Sequence, residues 1–282
     1  MCQSYNRWLA AIWKQGRERL RWVAAPPLLS METVRDELEF AKDNGACGIF
    51  MRGLECERRL SDPHFYPLYE CASDLDLAVC MHSGNNSFAV NDLYRDDLSF
   101  MRFKIQVVGA CHALLMEGLP ERFPEVRWGF IEVSAQWIPY VLNDIEQRFK
   151  RQGRSFSKSI LADNRMYVGC QTSDDLAYVL TYSGEDTLVI GTDYGHADQA
   201  TEIEALRRIS DVHGLDAAVL NKILCTNAAA LYGLAWRAVA PALDMVYEFS
   251  SANAGMTSSP NSPSDRRSCP WVRLPKASWR TR

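Results

Sequence analysis

The chain has 282 residues, 47% of them hydrophobic, and its 31 Lys and Arg nearly balance 35 Asp and Glu, for a formal net charge of −4. That length suits one large core or two ordinary domains, and so mild and interspersed a charge argues against a nucleic-acid-binding face. No apolar run reaches the length that spans a bilayer, so neither nucleic acid nor membrane is an expected partner.

The N-terminal "MCQSYNRWLAAIWKQGRERLRW" is basic and amphipathic, lacks an apolar signal region, and reads as an ordinary first helix. "LRWVAAPP" (20–27) reads as a strand. Ser30 then offers an N-cap for a helix whose Val34, Leu38 and Ala41 share a face before Gly45 ends it. "CGIFMRG" (47–53) is a second strand, and a helix through "PLYECASDLD" leads to a third in "LAVCMHSGNN" (77–86). "FKIQVVGACHALLMEG" places Ile105, Val108, His112 and Leu115 on one predicted stripe, stopped by Gly118. "EVRWGFIEV" (125–133) is strand four. Pro139 opens the next helix, with Ile138, Val141 or Leu142, Ile145 and Phe149 as its apolar face. "RMYVGCQ" (165–171) and "TLVIGTDY" (187–194) are strands five and six, and "DAAVLNKILCTNAAALYGL" closes the pattern with helices. Strands alternating with helices at this spacing predict a parallel sheet clothed by helices. From about residue 235 to 282 Ser, Pro and Arg replace the apolar period, which predicts a disordered tail beyond a domain at 1–234. Nine cysteines without a C-x-x-C pair form an odd set, which fits a reducing, cytoplasmic compartment better than a secreted disulfide framework.

In a barrel of strands and helices the chemistry sits where strands end. The polar residues at those ends are Arg52, His82, Glu132, Cys170 with Gln171, and Asp193. An imidazole, two carboxylates and a guanidinium on one rim suit a metal-dependent hydrolase: His82 and a carboxylate bind the ion, and a carboxylate moves a proton. Each residue also has a plainer use. His82 could hydrogen-bond a neighbouring loop, Asp193 could cap the next helix, Glu132 could pair with Arg52, and Arg52 could pair with Glu55 rather than grip a substrate carboxylate. His196 shares the Asp193 loop and is a substrate-binding candidate. Cys80 lies two residues before His82 on the same strand face and is expected as a small core residue. His112 is expected as a core or interface histidine.

The ordered segments "SDPHFYPLYECASDLDLAVCMHSG", "ERFPEVRWGFIEVSAQWIPYVLNDIE", "LVIGTDYGHAD" and "NAAALYGL" resemble the amidohydrolase-related family, amidohydrolase 2, over residues 5 to 234. That family holds metal-dependent hydrolases and decarboxylases of the aminocarboxymuconate-semialdehyde and resorcylate types. The resemblance implies a (β/α)8 TIM-type barrel with a divalent metal, commonly zinc, with manganese as the other candidate. It implies His82 as a metal ligand and Asp193 as the aspartate that contacts the metal and handles a proton. Glu132 falls where decarboxylating members carry a histidine, and is left as a ligand or acid–base group. No H-x-H occurs in the chain, and six strands are predicted where the family has eight. The expectation is thus an incomplete barrel lacking its first two strands, with weakened metal affinity, two apolar sheet edges and a tendency to homo-oligomerise. Hydrolysis of a small carboxylated or cyclic substrate leads. Decarboxylation is the alternative, and a non-catalytic remnant is the reading from another class.

Overall fold

A computed structural model describes residues 1–16, 20–96, 99–196, 204–212 and 214–235. The first half runs through α1 (Cys2–Gln15), β1 (Trp22–Ala24), α2 (Val34–Asp43), β2 (Ala46–Met51), β3 (Leu54–Glu55), β4 (Arg58–Arg59), α3 (Tyr66–Asp74), β5 (Ala78–His82), α4 (Phe88–Leu93), α5 (Ile105–Met116) and α6 (Leu119–Arg122). The second half adds β6 (Trp128–Ile131), α7 (Ile138–Arg151), α8 (Ile160–Asp163), β7 (Met166–Cys170), α9 (Leu176–Ser183), β8 (Leu188–Ile190), α10 (Ala205–Val212), α11 (Ala217–Asn221) and α12 (Asn227–Leu231). The tail predicted for 235–282 lies, from 236 onward, outside the described residues.

Six strands form one sheet in the order β1-β2-β5-β6-β7-β8, and every pairing in it is parallel. All six are the strands the apolar runs predict. The order follows the chain, each crossover carrying a helix, which is the winding of a TIM-type barrel. Among the described residues β1 and β8 do not pair, so the sheet is six strands of such a barrel left open.

Register explains why the runs are apolar throughout. Ile49, Val79, Met81, Trp128, Phe130, Met166, Val168 and Leu188 point one way, into the large core under the helices. The opposite, concave face carries a smaller cluster. Ala78 and Cys80 pack there against Leu231, with Val23, Ile131, Tyr167 and Tyr232 around them. A strand with both faces covered loses the polar alternation of a half-exposed one.

The helices obey their patterns, with two corrections. Val34, Leu38 and Ala41 are buried as predicted, but the Ser30 side chain makes no capping bond; a short 3₁₀ turn, Met31–Thr33, intervenes, and α2 starts at Val34. On α5 the buried face is Val107, Ala110, Cys111, Leu114 and Leu115, so of the predicted stripe only Leu115 is fully covered. That helix is apolar on nearly every side, and apolarity alone could not set its phase. His112 instead reaches between helices to Asp144 on α7, 2.9 Å from Nε2 to Oδ2. Unforeseen was the β3–β4 hairpin, whose turn residues Cys56 and Glu57 both take positive φ, 53° and 58°, the backbone of a tight hairpin turn.

Candidate functional site

The six-stranded sheet delivers its strand ends to one side, and a cavity of about 570 Å³ opens there. His82 ends β5, Glu132 follows β6, Cys170 ends β7 with Gln171 after it, and Asp193 lies three residues past β8; all five line the cavity. Glu132 and Asp193 take left-handed backbone, φ 62° and 50°, as does Ser134 at 63°. Non-glycine residues adopt this region at a cost and only where the surroundings hold them, a strain that clusters at working sites.

His82 Nδ1 lies 2.9 Å from the Ser83 carbonyl oxygen, which only accepts, so Nδ1 carries a proton and Nε2 faces the cavity. Nε2 meets Glu132 Oε2 at 2.9 Å, and Ser83 Oγ donates to the same oxygen at 2.8 Å. Burial works against a charged imidazole, yet the bond to Glu132 and the Ser83 carbonyl prevail, and the His82 pKa lies above its ordinary 6.5. Burial likewise opposes the Glu132 charge, but hydrogen bonds from His82 and Ser83 hold its pKa below the ordinary 4.5.

Asp193 Oδ2 is shielded from solvent and lies 3.2 Å from His196 Nδ1. Glu132, Asp193 and His196 each present a donor atom within 4.8 Å of the other two. Two carboxylate oxygens and an imidazole nitrogen are the hard and borderline donors that divalent ions take, so the residues fit such an ion. His196, expected at substrate, thus joins the candidate ligand cluster, and His82 meets it through Glu132.

The other candidates resolve as follows. Arg52 Nε and Nη2 grip Glu55 at 3.0 and 2.5 Å, and Nη1 donates to the Asn85 carbonyl at 2.5 Å. Glu55 is 2% exposed and needs a counter-charge, so the guanidinium is committed to the Glu55 pairing that the sequence left open, and it does not line the cavity. Cys80 is a core residue as expected, its thiol pushed up to about 12 by burial. All eight described cysteines are free.

Sequence reasoning missed Ser83, Asp174, Lys104 and Arg208. Asp174, 4% exposed, accepts from the Ser134 hydroxyl, from Ala135 N at 2.9 Å and from Gln171 N at 2.8 Å, so it clips the loop after β6 to the loop after β7. Lys104 and Arg208 line the cavity from helical segments, where nothing in the local pattern marks them.

Comparison with known proteins then places the chain. The sequence model of the amidohydrolase 2 family, described as amidohydrolase, matches residues 1–157, more than half of the chain. The chain belongs to the amidohydrolase family. No curated protein matches it closely. Among solved structures it is similar to a putative amidohydrolase from Staphylococcus aureus (TM-score 0.68, 21% identity, 83% of this chain and 80% of that one). It is also similar to a 5-carboxyvanillate decarboxylase from Novosphingobium aromaticivorans complexed with manganese and 4-hydroxy-3-methoxy-5-nitrobenzoic acid (TM-score 0.70, 17% identity, 83% and 70% covered). A third is 2,6-dihydroxybenzoate decarboxylase from Rhizobium (TM-score 0.62, 16% identity, 82% and 76% covered). At these identities the likeness establishes the amidohydrolase fold, a TIM-type barrel of which this chain shows six parallel strands. Among the described residues no helix of this amidohydrolase is long and apolar enough to cross a membrane.

Proposed function

We propose that this amidohydrolase is a metal-dependent enzyme that hydrolyses a small cyclic or carboxylated organic molecule in the cavity at the strand ends. The observation that carries the reading is the convergence of Glu132, Asp193 and His196 donor atoms within 4.8 Å, beside the His82–Glu132 contact. Asp193, His196 and Glu132 would hold the ion, with His82 Nε2 as the next donor; zinc or manganese suits that set. A divalent ion there would supply Lewis acidity, to polarise a substrate carbonyl and to lower the pKa of water so that hydroxide is available as nucleophile near neutral pH. Glu132, kept ionised by His82 and Ser83, is the acceptor for a proton released in the cavity, and Asp193 is the second carboxylate able to carry it. Ser83 fixes the rotamer of Glu132, and its carbonyl fixes the His82 tautomer.

Decarboxylation is the second reading, favoured by the decarboxylases among the similar structures. One experiment separates the readings. The purified chain is loaded with manganese or zinc, its metal content is measured, and a panel of cyclic amides, lactones and hydroxybenzoates is assayed for ring opening and for carbon dioxide. Stoichiometric metal that falls at least tenfold in affinity in Asp193→Ala, with ring opening, is the expected result. Carbon dioxide release instead would move the reaction to the carboxy-lyase side. Absence of stoichiometric metal would sink both and leave a non-catalytic interaction protein.

A further inference from the structure

Lys104 is a charged cavity residue that the proposed chemistry leaves unused. It closes a wide π-type turn, Phe100–Lys104, that opens α5, and its side chain is half-buried on the cavity wall shared with His82, Glu132 and Asp193. Among the described residues Lys104 forms no ion pair, although two carboxylates line the same cavity. A half-buried ammonium without a partner anion is costly, because burial weakens its hydration without supplying an opposite charge.

The turn that presents Lys104 is held deliberately. Ser99 before it takes left-handed backbone, φ 80°. Asn86, in the loop that follows His82, donates through Nδ2 to the Arg102 carbonyl at 2.9 Å and accepts from Gly53 N at 2.7 Å. Gly53 permits the approach: a Cβ there would stand 2.2 Å from the Gln106 backbone. Three segments therefore lock together, the end of β2, the loop after His82 and the turn bearing Lys104. Wide turns of this kind occur often where a side chain must be aimed at a site.

Charge then names the ligand. Glu132 and Asp193 bring two negative charges, which a divalent ion would cancel, and Lys104 on the same lining then offers a positive charge to a ligand. We propose that Lys104 is the specificity residue of this site, selecting ligands that carry a carboxylate; this rests on the cavity being the substrate site proposed above. An ammonium meeting a carboxylate makes a charge-assisted hydrogen bond that a neutral amide of the same shape cannot match.

Benzoate and benzamide, alike in ring and shape, serve as probes in calorimetric titrations of wild type, Lys104→Met and Lys104→Arg, each with and without manganese. The expected result is a preference of wild type for benzoate over benzamide that falls by about tenfold or more in Lys104→Met, returns in Lys104→Arg, and leaves manganese affinity unchanged. Equal binding of the two probes by wild type, failure of both to bind, or a Lys104→Met loss shared equally by both would overturn the proposal. Failure of manganese to bind would instead strike the metal reading, while the probe preference of the metal-free protein would still decide for or against Lys104.

Discussion

At the scale of single residues, the His82–Glu132 contact makes the clearest prediction. Nδ1 is committed to a carbonyl and Nε2 faces a carboxylate, so without a metal the geometry favours the imidazolium, which donates from both nitrogens. Its raised pKa means that its contribution to stability is present below the unfolded value near 6.5 and is lost as pH rises through the higher folded value. Glu132, with a lowered pKa, contributes above its unfolded value near 4.5 and loses that contribution as pH falls through the folded one. The pair is therefore fully effective from about pH 4.5 to 6.5. Proton NMR of the His82 ring in metal-free protein should show a midpoint above 6.5, and Glu132→Gln should bring it down. A midpoint unchanged by that substitution would mean that Glu132 is not what holds the proton. The residues of this dyad were legible because strand ends are legible: an apolar run that stops at His82 or Glu132 says where the side chain lands. Ser83, Lys104 and Asp174 were not, because their roles come from contacts that local spacing does not encode. Asp174, for example, reaches a hydroxyl 40 positions away.

At the scale of elements, the site depends on loops being held after the strands end. Asp174 fastens two of them, taking the Ser134 hydroxyl and the Ala135 and Gln171 amides. Asp174→Ala leaves these donors facing a buried gap and should cost about 2–4 kcal/mol of stability, measured by denaturant unfolding. Asp174→Asn, which keeps one acceptor oxygen, should cost less. If the alanine variant unfolds at the wild-type midpoint, the clip is not structural. The six strands were readable because each is an apolar run, covered on both faces and bounded by polar loops. The phase of α5 was not, since a helix apolar all round buries whichever side the neighbours supply. The β3–β4 hairpin escaped notice for a different reason. Its strands are two residues each, and its turn puts Cys56 and Glu57 where glycine or asparagine would have announced it.

At the scale of the whole molecule, a parallel sheet that is open among the described residues must deal with two edges, whose outward amides and carbonyls invite another strand. An asparagine side chain stands just beyond the end of the first edge strand and another bonds the last. Asn6 of α1, fully buried, donates to the Ala25 carbonyl at 3.0 Å and accepts from Ala25 N at 2.9 Å, standing beside the chain that leaves β1 as a neighbouring strand would. On the far side, Thr187 O accepts from Val168 N within the sheet, so the next carbonyl, Leu188 O, alternates outward, and Asn227 Nδ2 donates to it at 2.8 Å. Asn227 also reaches the Glu185 carbonyl at 2.8 Å, and it opens the "NAAALYGL" segment whose Leu231 packs on the concave face. That segment therefore does two jobs for an open barrel, filling its hollow and blunting its last edge. The sequence predicts self-association from bare edges, and these asparagines limit how bare they are. Asn227→Ala should lower stability by about 1–3 kcal/mol, because it strands two carbonyls. It should also shift sedimentation-velocity distributions toward higher mass as concentration rises, while wild type shifts less. Identical distributions for the two proteins would show that the β8 edge is not where this amidohydrolase associates.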